Sequence, residues 1–302
     1  MHVYLTGATG FVGSYVLKRL LADGHTVRCL VRNPSTARLP DGVEVVKGDI
    51  TVPKSVLGTM RGCDAVIHLV GIIEEQPSKG VTFEAIHYQG TVHVVDAAKD
   101  AEIERFVHMS ANGARPNGVS AYQTSKWKAE EYVRDAAFTH TTVFAPSVLF
   151  GDPGPDNPEF ASQLADTLIK PFPVLPIFGD GQYLMQPISV EEVADAFVQA
   201  LTTPEASGQR FCVAGQEQIP YVVVLDIITK ALGLAAKPKI PSPIWLVRPA
   251  VQAAGKFGLL PISPDQFEML VEGNTCDNAS LYATFALTPR AFTPDALAYL
   301  RD

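Results

Sequence analysis

Along the first half of the chain, short apolar runs alternate with longer segments whose apolar positions recur every three or four residues. Residues 3–6, 26–31, 43–47, 65–70, 105–109 and 141–144 read as strands. Residues 11–22 read as a helix, with Val12, Val16 and Leu20 on one face and Gly24 as the stop signal. Residues 83–99 have the same spacing through Ile86, Val94, Val95 and Ala98, and residues 120–137 form a third helix. The run 65–70 is apolar without alternation, as in a strand covered on both faces. Strands and helices in this order predict right-handed crossovers and a parallel sheet, a doubly wound α/β fold of the Rossmann kind. A ligand then lies beyond the carboxyl ends of the strands.

After Pro146 the texture changes. Residues 151–158 are rich in Gly, Pro, Asp and Asn, and Pro171, Pro173 and Pro176 follow closely. The expected division is a nucleotide-binding domain of residues 1–149 with about 187–213, and a small lobe of about 150–186 and 214–302. The lobe is expected to be a C-terminal substrate or partner lobe that closes over the ligand.

Glycines set the first chemistry. Gly7-x-x-Gly10-x-x-Gly13 lies between the first strand and the first helix. The first glycine permits a tight turn, the second lets backbone approach a pyrophosphate, and the third lets helix and strand pack closely. The helix start then offers N–H groups and the positive end of its dipole to an anion. The segment from Thr6 through Gly7, Ala8, Thr9, Gly10, Phe11, Val12 and Gly13 is therefore a candidate dinucleotide loop. An NAD site usually carries an acid about 20 residues on, for the ribose 2′-hydroxyl. Here Arg32 stands at the end of the second strand, and a guanidinium there favours a 2′-phosphate, with Arg38 as a possible helper. NADP(H) is the favoured cofactor and NAD(H) stays open, because Arg32 can instead stack on adenine or face solvent.

A second pattern is Tyr122-Gln123-Thr124-Ser125-Lys126, with Tyr and Lys one helical turn apart on one face. A phenol ordinarily titrates near pH ~10, too high for proton exchange at neutral pH. A nearby ammonium stabilises the phenolate and lowers that value. The phenol can then exchange a proton with a substrate hydroxyl or carbonyl while hydride moves at a nicotinamide. Ser110, at the end of the fifth strand, either polarises a substrate carbonyl or only terminates the strand, and Asn112 is an alternative.

Together these motifs resemble the extended and atypical branches of the short-chain dehydrogenase/reductase superfamily, over nearly the whole chain. In that resemblance Asp49-Ile50 would contact adenine, Leu69-Val70-Gly71 would underlie the cofactor's ribose and nicotinamide, and Pro146-Ser147-Val148 would line the nicotinamide end. The element from Gln186 to Ala194 would face the substrate lobe. A narrower similarity is carried by Ile86-His87-Tyr88-Gln89-Gly90-Thr91, by Phe172 to Gly181 and by Ser263 to Leu270. These look like the subgroup around the NADPH-binding accessory subunit of respiratory complex I and its bacterial relatives, where the bound nucleotide can be structural. Three departures stand out. His87 sits where many extended members have Asn, Ala145 where they have Arg, and Ala111 where a catalytic hydroxyl would lie if that position is one past Ser110.

Bulk composition narrows the classes. The chain has 302 residues, 47% apolar and 19% charged, which suits a globular protein with a large core. A net charge of −8 argues against a general nucleic-acid binder. Cys29, Cys63, Cys212 and Cys276 are widely spaced, which predicts reduced thiols, no metal knuckle and a cytoplasmic setting. No charged head and apolar segment precede the first strand, and no run reaches the ~20 apolar residues of a membrane span. His68 and His108 read as satisfied structural histidines; His87 is expected at the cleft. Residues 241–260 form an apolar stretch for lobe packing, or else for an apolar substrate, a protein partner or a membrane surface. An NADP(H)-dependent oxidoreductase is the leading function. A nucleotide-binding structural or assembly protein tied to respiratory complexes or quinone is the second. A nucleotide-sugar epimerase or dehydratase is third, since residues 150–260 hold few bases for a diphosphate. A homo-oligomer or a protein partner stays open.

Overall fold

The computed structural model describes residues 1–155, 157, 159–254 and 262–301. Seven strands make one sheet: β1 (His2–Thr6), β2 (Thr26–Val31), β3 (Glu44–Lys47), β4 (Ala65–His68), β5 (Arg105–Met109), β6 (His140–Pro146) and β7 (Gln209–Val213). Their order is β7-β6-β5-β4-β1-β2-β3, and every neighbouring pair is parallel. The chain winds outward from β1 to β3, then returns to β4 on the other side of β1. The strand order therefore reverses between β1 and β4, and a crevice opens there at the carboxyl ends.

The main helices of this unit are α1 (Phe11–Ala22), α2 (Gly90–Asp100), α3 (Ala121–Asp135) and α4 (Val190–Gln199). Helix α1 buries Val12, Val16, Leu17 and Leu20, the stripe that its spacing predicts. Tyr4, Val66 and Phe106 from the sheet meet Ile50, Val94, Val95 and Val133 in one core cluster, and Phe106 stacks on Phe138 with centroids 4.9 Å apart.

Three local expectations change. The strand read as 65–70 leaves the sheet after His68, so Leu69 and Val70 belong to a loop. The helix read as 83–99 is π-helical over Glu84–Gln89 and α-helical only from Gly90. Strand β7 escaped the hydrophobic pattern because it is an edge strand: Gln209 and Arg210 are exposed, and only Phe211 and Val213 are buried.

The chain divides into two compact units. One contains Met1–Pro146, Glu191–Val213 and Ala279–Leu287; the other contains Ser147–Val190, Ala214–Asn278 and Thr288–Asp302. Ala279–Leu287, expected with the lobe, clusters with the sheet. The Phe285 ring packs on Phe144 and Phe211, with centroids 5.6 and 5.0 Å away, and aromatic burial of this size outweighs chain proximity. In the second unit, helix α5 (Tyr221–Ala231) buries Tyr221, Val224, Leu225 and Ile228 in a cluster with Phe150, Ile169, Leu175 and Ile177. Leu175–Phe178 pairs in parallel with Lys239–Ser242. Cys29 and Cys63 are free, whereas Cys212 and Cys276 are disulfide-bonded, which corrects the expectation of four reduced thiols. Spacing along the chain does not decide the redox state of a thiol. Asp156 and Pro158 of the turn-rich loop, and residues 255–260 of the apolar stretch, lie outside the described residues. Among the described residues no helix is long and apolar enough to cross a membrane.

Candidate active site

The β1–α1 turn is built by steric necessity. Gly7 has φ +80°, and a Cβ there would sit 3.3 Å from Leu69 and from the Val70 nitrogen. At Gly13 a Cβ would lie 1.9 Å from the Gly7 oxygen, so helix and turn could not close. The Gly10 N–H donates to the Gly7 oxygen at 3.0 Å and completes the turn. Gly10 is the N-cap of α1, no side chain caps the helix, and no acid stands in its first turn. Nothing anionic from α1 itself competes with a ligand at its positive end. Thr9 is exposed, Phe11 half-buried and Val12 buried. The cradle fits the pyrophosphate of a dinucleotide, with room that any larger residue at 7 or 13 would fill.

Around this loop the other expected residues fall into place unevenly. Arg32 is exposed at the end of β2, as is Arg38. Asp49 accepts from the Thr51 N–H at 2.9 Å and from the Thr51 hydroxyl at 2.8 Å, which fixes its own turn. Ile50 is buried in the core, and a Cβ at Gly90 would strike its Cδ1 at 2.5 Å. Leu69 and Val70 are half-buried and Gly71 is exposed. Pro146 is buried, and its carbonyl accepts from the Asn112 N–H at 2.8 Å. Val148 is half-buried and belongs to the second unit.

Tyr122 and Lys126 occupy one face of α3, whose N-cap Ser120 accepts from the Gln123 N–H. The half-buried Tyr122 ring stands edge-on to Phe83 and His87, with centroids 5.7 and 5.2 Å away. Its hydroxyl has no hydrogen-bond partner among the described residues. Burial pushes the phenol up to about 12, opposite in direction to the lowering expected from a neighbouring ammonium. The Lys126 ammonium is buried, donates to the Met109 carbonyl at 2.5 Å and lies 3.7 Å from the position of a Cβ at Gly71. Burial brings it down to about 8, while the charge of Glu130 one turn along α3 pulls it upward. It therefore remains an ammonium at neutral pH.

Ser110 is engaged elsewhere. It is 2% exposed, and its hydroxyl donates to Glu130 at 2.8 Å. Glu130 is fully buried and also receives the Arg210 guanidinium at 2.8 Å. The geometry thus gives Ser110 to the buried Glu130 carboxylate rather than to a substrate, and the next residue, Ala111, has no hydroxyl. Glu130 was missed by sequence reading; its signal was a carboxylate four residues after Lys126 on the same helix.

Three histidines lie beneath the Tyr122–Lys126 pair. His68 is satisfied by the Thr6 and Thr91 hydroxyls at 2.7 and 3.1 Å. His108 is buried, stacks on His68 at 5.6 Å, and neither ring nitrogen has a hydrogen-bond partner among the described residues, so it is not the satisfied histidine expected. His87 is 1% exposed, with both ring nitrogens engaged. Burial lowers all three, and the Lys126 charge lowers them further: His68 to about 3, His87 to about 2, and His108 well below its usual value. All three are neutral at physiological pH.

A family model, "NAD dependent epimerase/dehydratase family", matches residues 3–214. The chain belongs to this family. Proteins similar to it include the mitochondrial NADH-ubiquinone oxidoreductase 40 kDa subunit of Neurospora crassa, 25% identical over 98% of this chain and 78% of that protein. Ceramide reductase of Caulobacter vibrioides is 30% identical over 84% of this chain and 76% of its own length. Among solved structures, MoeE5 in complex with UDP-glucose and NAD superposes with a TM-score of 0.75 at 20% identity, over 100% of this chain and 97% of that one. That likeness shows a shared fold.

Proposed function

We propose that this chain is an NAD(P)(H)-dependent oxidoreductase, NADP(H) favoured, acting on a carbonyl or hydroxyl group of an apolar small molecule. The observation that carries it is the Tyr122–Lys126 face of α3. A phenol with no hydrogen-bond partner among the described residues and a buried ammonium stand at the crevice between β4 and β1, beside a glycine cradle shaped for phosphates.

In this proposal the α1 amides from Phe11 to Gly13, with Gly7, Thr9 and Gly10, hold the pyrophosphate. Arg32, with Arg38, meets the 2′-phosphate. Asp49 and Ile50 border the adenine, Leu69, Val70 and Gly71 the nicotinamide ribose, and Pro146 and Val148 the nicotinamide. The bound coenzyme supplies or accepts the hydride. Tyr122 transfers its phenol proton to the carbonyl oxygen in the reducing direction, the direction favoured by a phenol held protonated at neutral pH. Lys126 stays cationic beside it and orients the ribose. The apolar substrate class draws support from the ceramide reductase relative and from the sparse basic residues of 150–260.

A second function is favoured by one observation: with Ser110 bound to Glu130 and Ala111 following it, the β5 end supplies no serine hydroxyl to a substrate. The chain would then hold NADPH as a structural group in an assembly with a respiratory complex or a quinone-linked partner, consistent with a complex I subunit aligned over 98% of it. A homo-oligomer fits either function.

The experiment is to identify the nucleotide that copurifies, then to follow its oxidation with a panel of carbonyls and quinones. Turnover that falls roughly 10²–10⁴-fold in Tyr122→Phe, with nucleotide affinity kept, supports the oxidoreductase. A retained nucleotide that never turns over, and whose removal costs only stability, supports the structural role. Calorimetry on nucleotide-free protein that detects neither NADPH nor NADH uptake removes both.

A further inference from the structure

His87 is a buried, two-ended side chain, and its surroundings use both ends. It lies in the π-helical turn Glu84–Gln89 that precedes α2. Such turns cost regular hydrogen bonding and gather at functional sites. The turn directs the ring under the loop that follows β4. Nε2 lies 3.0 Å from the Ile72 nitrogen and also 3.0 Å from the Ile72 oxygen. Nδ1 lies 2.9 Å from the Ser125 hydroxyl, and that hydroxyl donates to the Tyr122 carbonyl at 2.8 Å. One face of the ring stacks on Phe83 at 5.2 Å, and its edge meets the Tyr122 ring.

Counting protons assigns the tautomer. Ser125 has one hydroxyl proton, and a carbonyl can only accept, so that proton goes to Tyr122. Ser125 must then accept from Nδ1–H. A neutral ring protonated at Nδ1 has a bare Nε2, which accepts the Ile72 N–H. The opposite tautomer would direct Nε2–H to the Ile72 carbonyl and Ser125 to Nδ1, stranding the half-buried Ile72 N–H. The Nδ1–H form pairs the Ile72 N–H and leaves only the Ile72 carbonyl without a ring donor, a smaller loss than an orphaned N–H, so the imidazole bridges the loop 69–72 to α3.

We infer that His87 is a positioning residue: as a neutral Nδ1–H imidazole it fixes the loop carrying Gly71 against the helix carrying Tyr122 and Lys126. This deepens the proposed function, since the loop and the helix are the two elements that would grip the nicotinamide ribose and the reacting carbonyl. The bridge must be uncharged. Lys126 is the cation facing it from α3, and His68 on β4 and His108 on β5 lie within electrostatic reach, while Glu84 and Gln89 flank it on its own turn. Burial and the Lys126 charge hold it neutral, and protonation at Nε2 would remove the acceptor of the Ile72 N–H while leaving the bond to Ser125.

Two readouts separate the bridge from the catalysis. The first needs no turnover. In the full-length protein, ¹⁵N spectra of the His87 ring should show Nδ1 protonated and Nε2 bare, unchanged between pH 8 and pH 5. The Ile72 amide should exchange with solvent at least about tenfold faster in His87→Phe, while His87→Gln, with one acceptor and one donor, restores protection. A reversed tautomer, a ring titrating near its free value, or an Ile72 amide indifferent to His87→Phe overturns the inference whatever the enzyme does. The second readout is kinetic. His87→Phe should lower kcat by about tenfold or more and shift KM for NADPH by less than about threefold, with His87→Gln recovering most of the loss. Unchanged kcat in His87→Phe, or losses in kcat and KM that track the melting temperature and are equal in His87→Gln, would reduce His87 to a packing residue. If no substrate is ever turned over, the tautomer and exchange results still decide for or against the bridge.

Discussion

The two ends of the crevice between β1 and β4 are made in opposite ways. At the β1–α1 turn the work is done by backbone. Glycines 7, 10 and 13 remove side chains so that amides and carbonyls can come close, and the turn lies within seven residues of sequence. At the β4–β5 end the work is done by buried polar side chains. Lys126, Ser110 and Glu130, with His68, His87 and His108, converge from two strands and two helical segments and are kept polar at the cost of desolvation. The first end tolerates no added volume; the second tolerates no added charge. Anion capture needs a rigid shape with donors, whereas proton transfer needs groups whose ionisation is controlled by what surrounds them.

Acid should break the polar end first, with the largest effect. Each of the three histidines has a folded pKa below its unfolded value near ~6.5, so the unfolded chain binds more protons as pH falls below that value. The stability they contribute is present above about 6.5 and is lost as pH falls toward about 3 for His68 and about 2 for His87. At pH 5 this amounts to roughly 2 kcal/mol each for His68 and His87, and His108 shifts in the same direction. Glu159, in the other unit, runs the other way. Burial raises its carboxyl to about 7, which offsets roughly 2 kcal/mol of that loss. Denaturant melts from pH 7.5 to 4.5 measure the slope. A flat profile would mean that the histidine cluster is hydrated and the contrast between the two ends is false.

Volume should break the backbone end. Gly13→Ala puts a methyl 1.9 Å from the Gly7 oxygen and should cost about 3 kcal/mol and abolish detectable NADPH binding in calorimetry. Gly24→Ala is the control. It also has positive φ, +78°, but open space around it, so it should lose only about 1 kcal/mol and leave binding unaltered. Equal losses in the two variants would show that backbone conformation, not close approach, governs the loop.

The smallest effect sharpens the cofactor assignment. Arg32→Ala should weaken NADPH about tenfold and leave NADH within a factor of two, since an exposed guanidinium contributes about one charge-assisted hydrogen bond to a 2′-phosphate. Isothermal titration with both nucleotides reads the difference. Equal weakening of both would assign Arg32 to the adenine face.

What the linear chain determined is what short-range physics controls. Six of the seven sheet strands, the helices after Gly10 and Ser120, and the glycine turn were legible because period, caps and turn residues act within a few positions of one another. The Tyr122–Lys126 pair was legible for the same reason, being one helical turn apart. Strand β7 was not, because an edge strand buries only alternate residues over a short length. Tertiary structure alone decided that Ser110 serves Glu130, that the Tyr122 phenol rises rather than falls, that His108 is left without a hydrogen bond, and that His87 spans from Ile72 to Ser125. Those outcomes depend on desolvation and on partners 15 to 38 residues distant in sequence, and neither is encoded in the neighbours of any one residue.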